Sequence, residues 1–94
     1  MYRYQYRYKS TIPLSYVRQG YIFFTSLRYD EMSHKDRAKI EHLCKESAGP
    51  YWRAVLEFVT TDANATFIEA EHHISRATLY RCVKKYYMRF PKKL

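Results

Sequence analysis

The stretch Ile74-Ser75-Arg76-Ala77-Thr78-Leu79-Tyr80-Arg81 decides how the C-terminal part of the chain folds. It reads as a turn followed by a helix, because the Ser75 hydroxyl can accept a backbone N–H of the first helical turn. Apolar side chains then recur at helical spacing. They are Leu79, Val83, Tyr86 and Phe90. The spacing predicts a helix that Ser75 caps and that reaches Phe90, with one buried face and one basic face.

A shorter helix is predicted immediately before this turn. Thr66-Phe67-Ile68-Glu69 has the spacing of a capping box, in which the first hydroxyl and the fourth side chain each accept a backbone N–H. We expect this helix to run from about Phe67 to His72. Its candidates for burial are Phe67, Ile68 and Ala70.

Residues 33–60 are predicted to form two further helices. Ser33 opens the first in a capping box that has Asp36 in place of the usual Glu, and this helix should end at 46–49. Pro50 suits the first turn of the next helix, where its missing N–H costs nothing. The core face of that next helix is Trp52, Val55, Leu56 and Val59, at positions i, i+3, i+4 and i+7.

The N-terminal region favours β structure. Residues 2–9 alternate strictly between Tyr and a polar side chain, which is the period of a strand, and residues 21–27 are apolar and β-prone. A hairpin or short meander over residues 2–28 is the preferred interpretation. The predicted fold is thus α+β, mainly α, with about four helices and a winged-helix-like N-terminal element. A short buried helix from Ile22 to Tyr29 fits the same apolar residues and is the alternative.

Length and composition predict a single domain. The 94 residues, 47% of them hydrophobic, suffice for one modest core and not for two. No apolar run approaches the ~18 residues of a membrane span, and the N-terminus lacks the pattern of a secretory signal. We therefore expect a soluble, cytoplasmic protein. Cys44 and Cys82 fall in helical patterns and are expected to be reduced, half-buried core residues.

The residue patterns predict a binding protein without metal or other cofactors, and not an enzyme. The chain has only two glycines, which leaves no Gly-rich phosphate loop. No Ser/His/Asp or Cys/His arrangement has a spacing that indicates catalysis. The four histidines do not match the ligand spacings of zinc sites. They are His34, His42, His72 and His73.

Positive charge is concentrated at the two ends of the chain. The net charge is +8, and all nine acids lie between residues 30 and 71. Residues 1–29 and 72–94 are basic and contain no acid. Two acid-free basic segments predict a surface for a polyanion. A membrane surface fits less well, because the C-terminal helix carries Tyr and Thr where an interfacial helix needs large aliphatic side chains.

The run from Ile74 to Arg81 resembles the turn and second helix of helix-turn-helix domains in site-specific recombinases, tetracycline-repressor-type regulators and related activators. The resemblance covers about residues 65–87. The chain departs from the motif at three positions, which bear on the angle between the two helices: Glu69 replaces a small Ala, His72 a core leucine and His73 a Gly.

A looser resemblance extends over more of the chain. Stretches such as residues 20–32, 59–62 and 86–90 are similar to small helix-turn-helix proteins of Gram-positive phages and integrative elements. Together the resemblances imply DNA binding by a regulator or accessory protein of a mobile element.

Most candidate DNA contacts lie on the helix after Ser75. Arg76 and Thr78 are the candidates for base edges, since the guanidinium fork suits O6 and N7 of guanine. Tyr80, Arg81, Lys84 and Lys85 are expected mostly to hold phosphates, and Ser75 both caps the helix and touches phosphate. The predicted contacts on this helix are Ser75, Arg76, Ala77, Thr78, Tyr80, Arg81, Lys84 and Lys85, and those on the N-terminal strand are Arg3, Arg7 and Lys9.

The Tyr/Arg strand over residues 2–9 has three interpretations. In the first, Tyr2, Tyr4, Tyr6 and Tyr8 pack against the helices and the basic side chains face water. In the second, the strand is a wing whose bases contact phosphates or a minor groove. In the third, the tyrosines are a stacking platform for single-stranded nucleic acid. The third would leave a sheet face uncovered and weaken a small core.

The predicted partner is double-stranded DNA, bound by a sequence-specific transcriptional regulator associated with the nucleoid. One alternative is an accessory DNA binder in conjugation, recombination or packaging, which would work with relaxase or recombinase machinery. Another is an adaptor resembling region 4 of a sigma factor, docking on RNA polymerase through Trp52 or the acidic middle of the chain. A homodimer is also compatible, because helix-turn-helix proteins often bind two half-sites about one DNA turn apart.

Overall fold

The computed structural model describes residues 6–61 and 63–94, and all regular structure within them is helical. The five α-helices are α1 (Tyr16–Leu27), α2 (His34–Ala48), α3 (Trp52–Thr60), α4 (Ala65–His72) and α5 (Arg76–Arg89). Short 3-10 turns, Tyr29–Glu31 and Gly49–Tyr51, precede α2 and α3. The described residues contain no strand. The predicted α+β fold with a hairpin or meander over residues 2–28 and a winged-helix character is therefore wrong, and the fold is all-α.

A helix forms where a strand was predicted, because the buried side chains of residues 16–27 follow a helical period. Gln19, Ile22 and Ser26 are the buried residues of α1. Because Gln19 and Ser26 are polar, a search for apolar residues at helical spacing does not detect this buried face. Ser15 caps the helix by accepting the backbone N–H of Arg18 at 3.1 Å. The alternative helix from Ile22 was closer to the structure, although α1 begins at Tyr16 and ends at Leu27.

The chain before α1 is held in place by the buried amide of Gln19. Its Oε1 accepts the backbone N–H of Lys9 at 2.9 Å, and its Nε2 donates to the carbonyl oxygens of Lys9, Ile12 and Leu14 at 2.9, 3.1 and 3.1 Å. Ile12 itself is buried. One amide, which carries both donors and an acceptor, thus satisfies the backbone of an irregular segment. Residues 6–9 run along the helices without forming a strand, and residues 2–5 of the predicted strand lie outside the described residues.

The predicted cap and end of α2 are confirmed, and the predicted core face of α3 is confirmed in part. Ser33 caps α2 by accepting the backbone N–H of Asp36 at 3.2 Å, and α2 ends at Ala48, within the predicted limits. Gly49 follows with φ of 53°, a left-handed conformation that glycine adopts without strain. Pro50 lies in the 3-10 turn that leads into α3. On α3, Val55 and Val59 are buried, and Trp52 and Leu56 pack against the core while partly exposed.

The core is built around α5, whose predicted inner face is confirmed. Leu79, Val83, Tyr86 and Phe90 are all buried. The Tyr86 hydroxyl pairs with Ser26 Oγ at 2.7 Å, and burial raises the pKa of Tyr86. Because Ser26 belongs to α1, this buried pair joins the first and last helices.

The C-terminal end of α5 is closed by a side chain from α1. The Arg18 guanidinium donates to the carbonyl oxygens of Phe90, Pro91 and Lys92 at 3.1, 2.8 and 3.3 Å. A cation at a helix C-terminus also interacts favourably with the helix dipole. This contact fixes the end of α5 against the rest of the domain.

The two cysteines are more buried than expected. Cys44 and Cys82 are free thiols and are buried, whereas half-burial was expected. Burial raises the pKa of the Cys44 thiol to about 12. In the part of the chain that the structure describes, no helix combines the length and apolar character needed to cross a membrane.

Candidate nucleic-acid interface

The short helix α4 begins earlier than the capping-box pattern predicted. Asn64 is its N-cap and accepts the backbone N–H of Phe67 at 2.8 Å. The predicted cap on Thr66 is therefore wrong, because Asn64 offers an equally good acceptor and lets the helix start at Ala65. Thr66 lies in the first turn of α4, which leaves its hydroxyl available for a contact with α5.

The inner face of α4 also differs from the prediction. Ala65 and Ile68 are its buried residues. Phe67 is 48% exposed and Ala70 is also exposed, so their predicted burial is wrong. Ala65 and Ile68 stand at i and i+3 on one face, and the neighbouring Phe67 points away from it.

The turn between α4 and α5 is tight although it lacks the usual glycine. His73 adopts a left-handed conformation with φ of 53°, the conformation for which glycine is normally chosen. The backbone N–H groups of His73 and Ile74 both donate to the carbonyl oxygen of Glu69. Ile74 is buried behind the turn. Where the motif normally has a glycine, His73 thus forms the turn at the cost of backbone strain.

The second departure from the motif, His72, does not enter the core. Its Nε2 lies 2.7 Å from Oε1 of Glu57, and both side chains are partly buried. Since Glu57 belongs to α3, this contact holds α4 against α3. A polar contact thus stands where the motif normally has a leucine.

Helix α5 begins as predicted. The Ser75 hydroxyl accepts the backbone N–H of Thr78 at 3.2 Å, which confirms the cap. The same hydroxyl lies 2.9 Å from Thr78 Oγ1 and donates to it. The two hydroxyls therefore pair with each other at the start of α5.

One face of α5 points into solvent and is basic. We call it the α5 outer face; it consists of Ala77, Arg81, Lys84, Lys85 and Met88, all of them exposed. The helix contains no acidic residue. Within residues 6–61 and 63–94, neither Lys84 nor Lys85 has an ion-pair partner, and Arg81 makes only a 3.4 Å contact with Thr78 Oγ1. The positive charge of this face is not compensated locally.

Arg76 differs from the other basic residues of α5 because it is held by α4. Its Nε donates to Glu69 Oε2 at 2.6 Å, and its Nη2 donates to Thr66 Oγ1 at 2.7 Å. The Arg76 side chain is 50% exposed. The sequence marked Thr66 and Glu69 as the ends of a capping box, and Glu69 also as a departure from the motif. It did not predict that both bind Arg76, since these contacts depend on how the two helices pack.

Two of the three N-terminal candidates lie beside α5. Lys9 Nζ sits 5.3 Å from the centroid of the Tyr80 ring, a cation–π contact. Arg7 and Lys9 line a cavity of about 130 Å³ with apolar side chains that include Val83 and Tyr87. The structure thus brings Arg7 and Lys9 to α5, although not as a β-wing. Arg3 lies outside the described residues.

The two described tyrosines of the N-terminal segment, Tyr6 and Tyr8, both lie against Tyr16 of α1 but differ in burial. Tyr6 is half-buried against α1, with its ring centroid 5.0 Å from that of Tyr16 and 5.5 Å from that of Phe23. Tyr8 is 47% exposed. Packing against the helices therefore applies to Tyr6 and, through a ring contact of 6.1 Å with Tyr16, in part to Tyr8. No sheet is present in the described residues to form the stacking platform for single strands, and Tyr2 and Tyr4 lie outside them.

Trp52, the predicted anchor for RNA polymerase, is surrounded by cations. Lys45 Nζ lies 4.7 Å from its ring centroid and the Arg53 guanidinium carbon 4.6 Å. The ring is also partly buried against the core. Docking on RNA polymerase through Trp52 stays a prediction.

A metal site among the described residues would indicate a cofactor, and a match to a known protein would indicate a family. Among the described residues, no group of three or more His, Cys, Asp or Glu side chains is placed to hold a metal ion. The chain matches no protein-family model, and comparisons with curated proteins and with solved structures gave no match either. The basic outer face of α5 and the contacts of Arg76 with α4 are the features that indicate a function.

Proposed function

We propose that the chain is a sequence-specific double-stranded DNA-binding protein that places α5 in the major groove and regulates transcription. The observation that carries the proposal is the α5 outer face. Its cations have no acidic neighbour on their own helix, and Lys84 and Lys85 have no ion-pair partner among the described residues. Uncompensated cations on an exposed helix suit DNA, because each phosphate they neutralise releases counterions.

The arrangement of α4 and α5 supports the same proposal. A major groove about 12 Å wide admits one α-helix. In helix-turn-helix proteins the second helix enters this groove while the first crosses the phosphate backbone. Here the tight turn at His73 and the buried side chain of Ile74 join α5 to α4, and Ala77, Tyr80 and Arg81 in the first turns of α5 are exposed.

The N-terminal segment would add contacts beside the groove. Lys9 lies over Tyr80, next to the α5 outer face, and Arg7 and Lys9 both line the cavity beside Val83 and Tyr87. Both side chains would reach phosphates flanking the helix and contribute affinity without sequence preference. An accessory DNA binder in conjugation, recombination or packaging would use the same surface and differ in the DNA site and in the machinery recruited.

The proposal is tested first by selecting bound sequences from a random pool of DNA duplexes. A recovered motif that binds at least tenfold tighter than random DNA is the expected result. No enrichment, together with equal binding of all duplexes at low salt, would overturn the proposal.

Lysine variants then locate the surface. Lys84→Ala and Lys85→Ala are each expected to weaken binding of all sequences alike and to reduce the slope of log K against log salt by about one. Lys35→Ala is the matched control, because it removes the same charge from an exposed position on α2. If Lys35→Ala has the same effect as the α5 variants, the contact is not made by α5.

A further inference from the structure

We infer that Glu69 and Thr66 are positioning residues that orient the Arg76 guanidinium toward one guanine of the DNA site. The inference rests on the proposed function. It assigns a specificity role to two α4 side chains outside the α5 outer face, and it names the base that Arg76 selects.

The hydrogen bonds leave one edge of the guanidinium free. Nε and Nη2 of an arginine lie on the same edge of the planar group, and Arg76 uses these two atoms to bind Glu69 at 2.6 Å and Thr66 at 2.7 Å. An arginine has five N–H groups, so three remain for other acceptors, among them both on Nη1. The side chain is half exposed, so the free groups can meet a ligand.

A pair of N–H groups on Nη1 and Nη2 matches guanine better than any other base. In the major groove guanine presents two adjacent acceptors, N7 and O6, whereas adenine presents one acceptor and one donor. Because α4 already fixes the guanidinium, Arg76 loses less rotamer freedom on binding than a free arginine would. Fixed orientation also penalises bases that lack the second acceptor, since the side chain cannot easily turn to another partner.

Glu69 is expected to lower the affinity for DNA, which separates a role in base selection from a role in general binding. Its carboxylate lies at the surface that faces DNA in the proposed complex, where it repels phosphates and lowers affinity for every sequence. An exposed ion pair, on the other hand, adds little to folding stability. Glu69 therefore makes most sense as a residue that exchanges general affinity for selectivity.

The experiment compares Glu69→Ala, Glu69→Gln and Thr66→Val on the selected DNA site and on its single-base variants, by fluorescence anisotropy. We expect Glu69→Ala to reduce the preference for guanine at one position by about tenfold while binding random DNA as tightly as the parent protein or more tightly. Glu69→Gln should retain most of the preference, because its amide oxygen still accepts the Nε–H of Arg76. Thr66→Val should give an intermediate loss.

Two controls separate positioning from structure and from general charge. Glu71→Ala removes an exposed acid from the same helix and should leave the base preference unchanged. In an Arg76→Ala background, Glu69→Ala should have no further effect on preference, since Glu69 acts through Arg76. Circular dichroism and thermal midpoints verify that each variant folds, and the loss expected of Thr66→Val tests the positioning role if Glu69→Ala is unfolded.

The outcomes distinguish this inference from the proposed function. If a motif is recovered but Glu69→Ala leaves every base preference intact, DNA binding stands and the positioning role is refuted, whether or not Arg76→Ala changes the preference. An equal effect of Glu69→Ala with and without Arg76 refutes it as well. If no motif is recovered from the random pool, the proposed function itself fails and the positioning role falls with it.

Discussion

Replacing Gln19 by Leu should detach the N-terminal segment from α1. Gln19 is 1% exposed and makes four hydrogen bonds to the backbone of Lys9, Ile12 and Leu14. Leucine has a similar size and fills the same space with apolar atoms. The substitution therefore removes hydrogen bonds without opening a large cavity.

The expected loss of stability follows from which backbone groups remain buried. The bond to Ile12 is buried, and the other three are partly buried and can be replaced by water in part. An unsatisfied buried carbonyl costs ~1–3 kcal/mol and each ordinary hydrogen bond contributes ~0.5–1.5 kcal/mol. Allowing for water, we expect a loss of about 3 kcal/mol in the free energy of unfolding. For a domain of this size, that loss lowers Tm by roughly 12–24 °C.

Thermal and urea unfolding followed by circular dichroism measure this loss. Val17→Ala is the matched control, because Val17 lies on the same helix and is 78% exposed, so its effect should stay within ~0.5 kcal/mol. Gln19→Glu adds a second test: only its protonated form can donate to the carbonyl oxygens, so its deficit should shrink as the pH falls. A Gln19→Leu protein whose Tm lies within ~2 °C of that of the parent has lost only about 0.5 kcal/mol in the free energy of unfolding, and this result would refute the reasoning.

Two further predictions concern the turn and the alkaline limit of stability. His73→Gly should raise the free energy of unfolding by about 0.5–1 kcal/mol, because it relieves a left-handed non-glycine residue, and His73→Val should lower it; equal urea midpoints would contradict this. Burial raises the pKa of Tyr87 from 10.0 to about 12, so its hydroxyl favours the folded state below pH 10, and that contribution is lost as the pH rises toward 12. Thermal midpoints between pH 8 and 11 should therefore decline less steeply for Tyr87→Phe than for the parent, and parallel declines would contradict the assignment.

The sequence predicted the structure well where local signals and burial agree. Ser75 supplies a cap, and Leu79, Val83, Tyr86 and Phe90 repeat at helical spacing, so α5 could be located from its own residues. The same holds for Ser33 and α2. In α1 the signals conflict, because the aromatic and β-branched residues favour a strand, and the helical stripe includes the polar Gln19 and Ser26. Their partners, a loop backbone and the Tyr86 hydroxyl, are distant in sequence and could not be predicted from it.

The candidate site shows the same division. The exposure of Arg81, Lys84 and Lys85 follows from the period of α5 and was predictable. The binding of Arg76 to Glu69 crosses a turn and depends on the angle between two helices, which the sequence left open. The contact changes the chemical role of Arg76. The sequence predicted a basic side chain without a partner in the protein, whereas one edge of the guanidinium is occupied.

The three departures from the helix-turn-helix pattern each have a physical outcome. His73 takes up the left-handed conformation that the missing glycine would have provided. His72 binds Glu57, which holds α4 to α3, and Glu69 binds Arg76, which holds α4 to α5. Two of the replacements thus add polar contacts between α4 and its neighbours, and the third leaves a strained backbone in the turn. Salt screens the attraction between exposed charges. The angle between α4 and α5, and with it any base selection by Arg76, should therefore depend on ionic strength more than in a helix pair held by alanine and leucine.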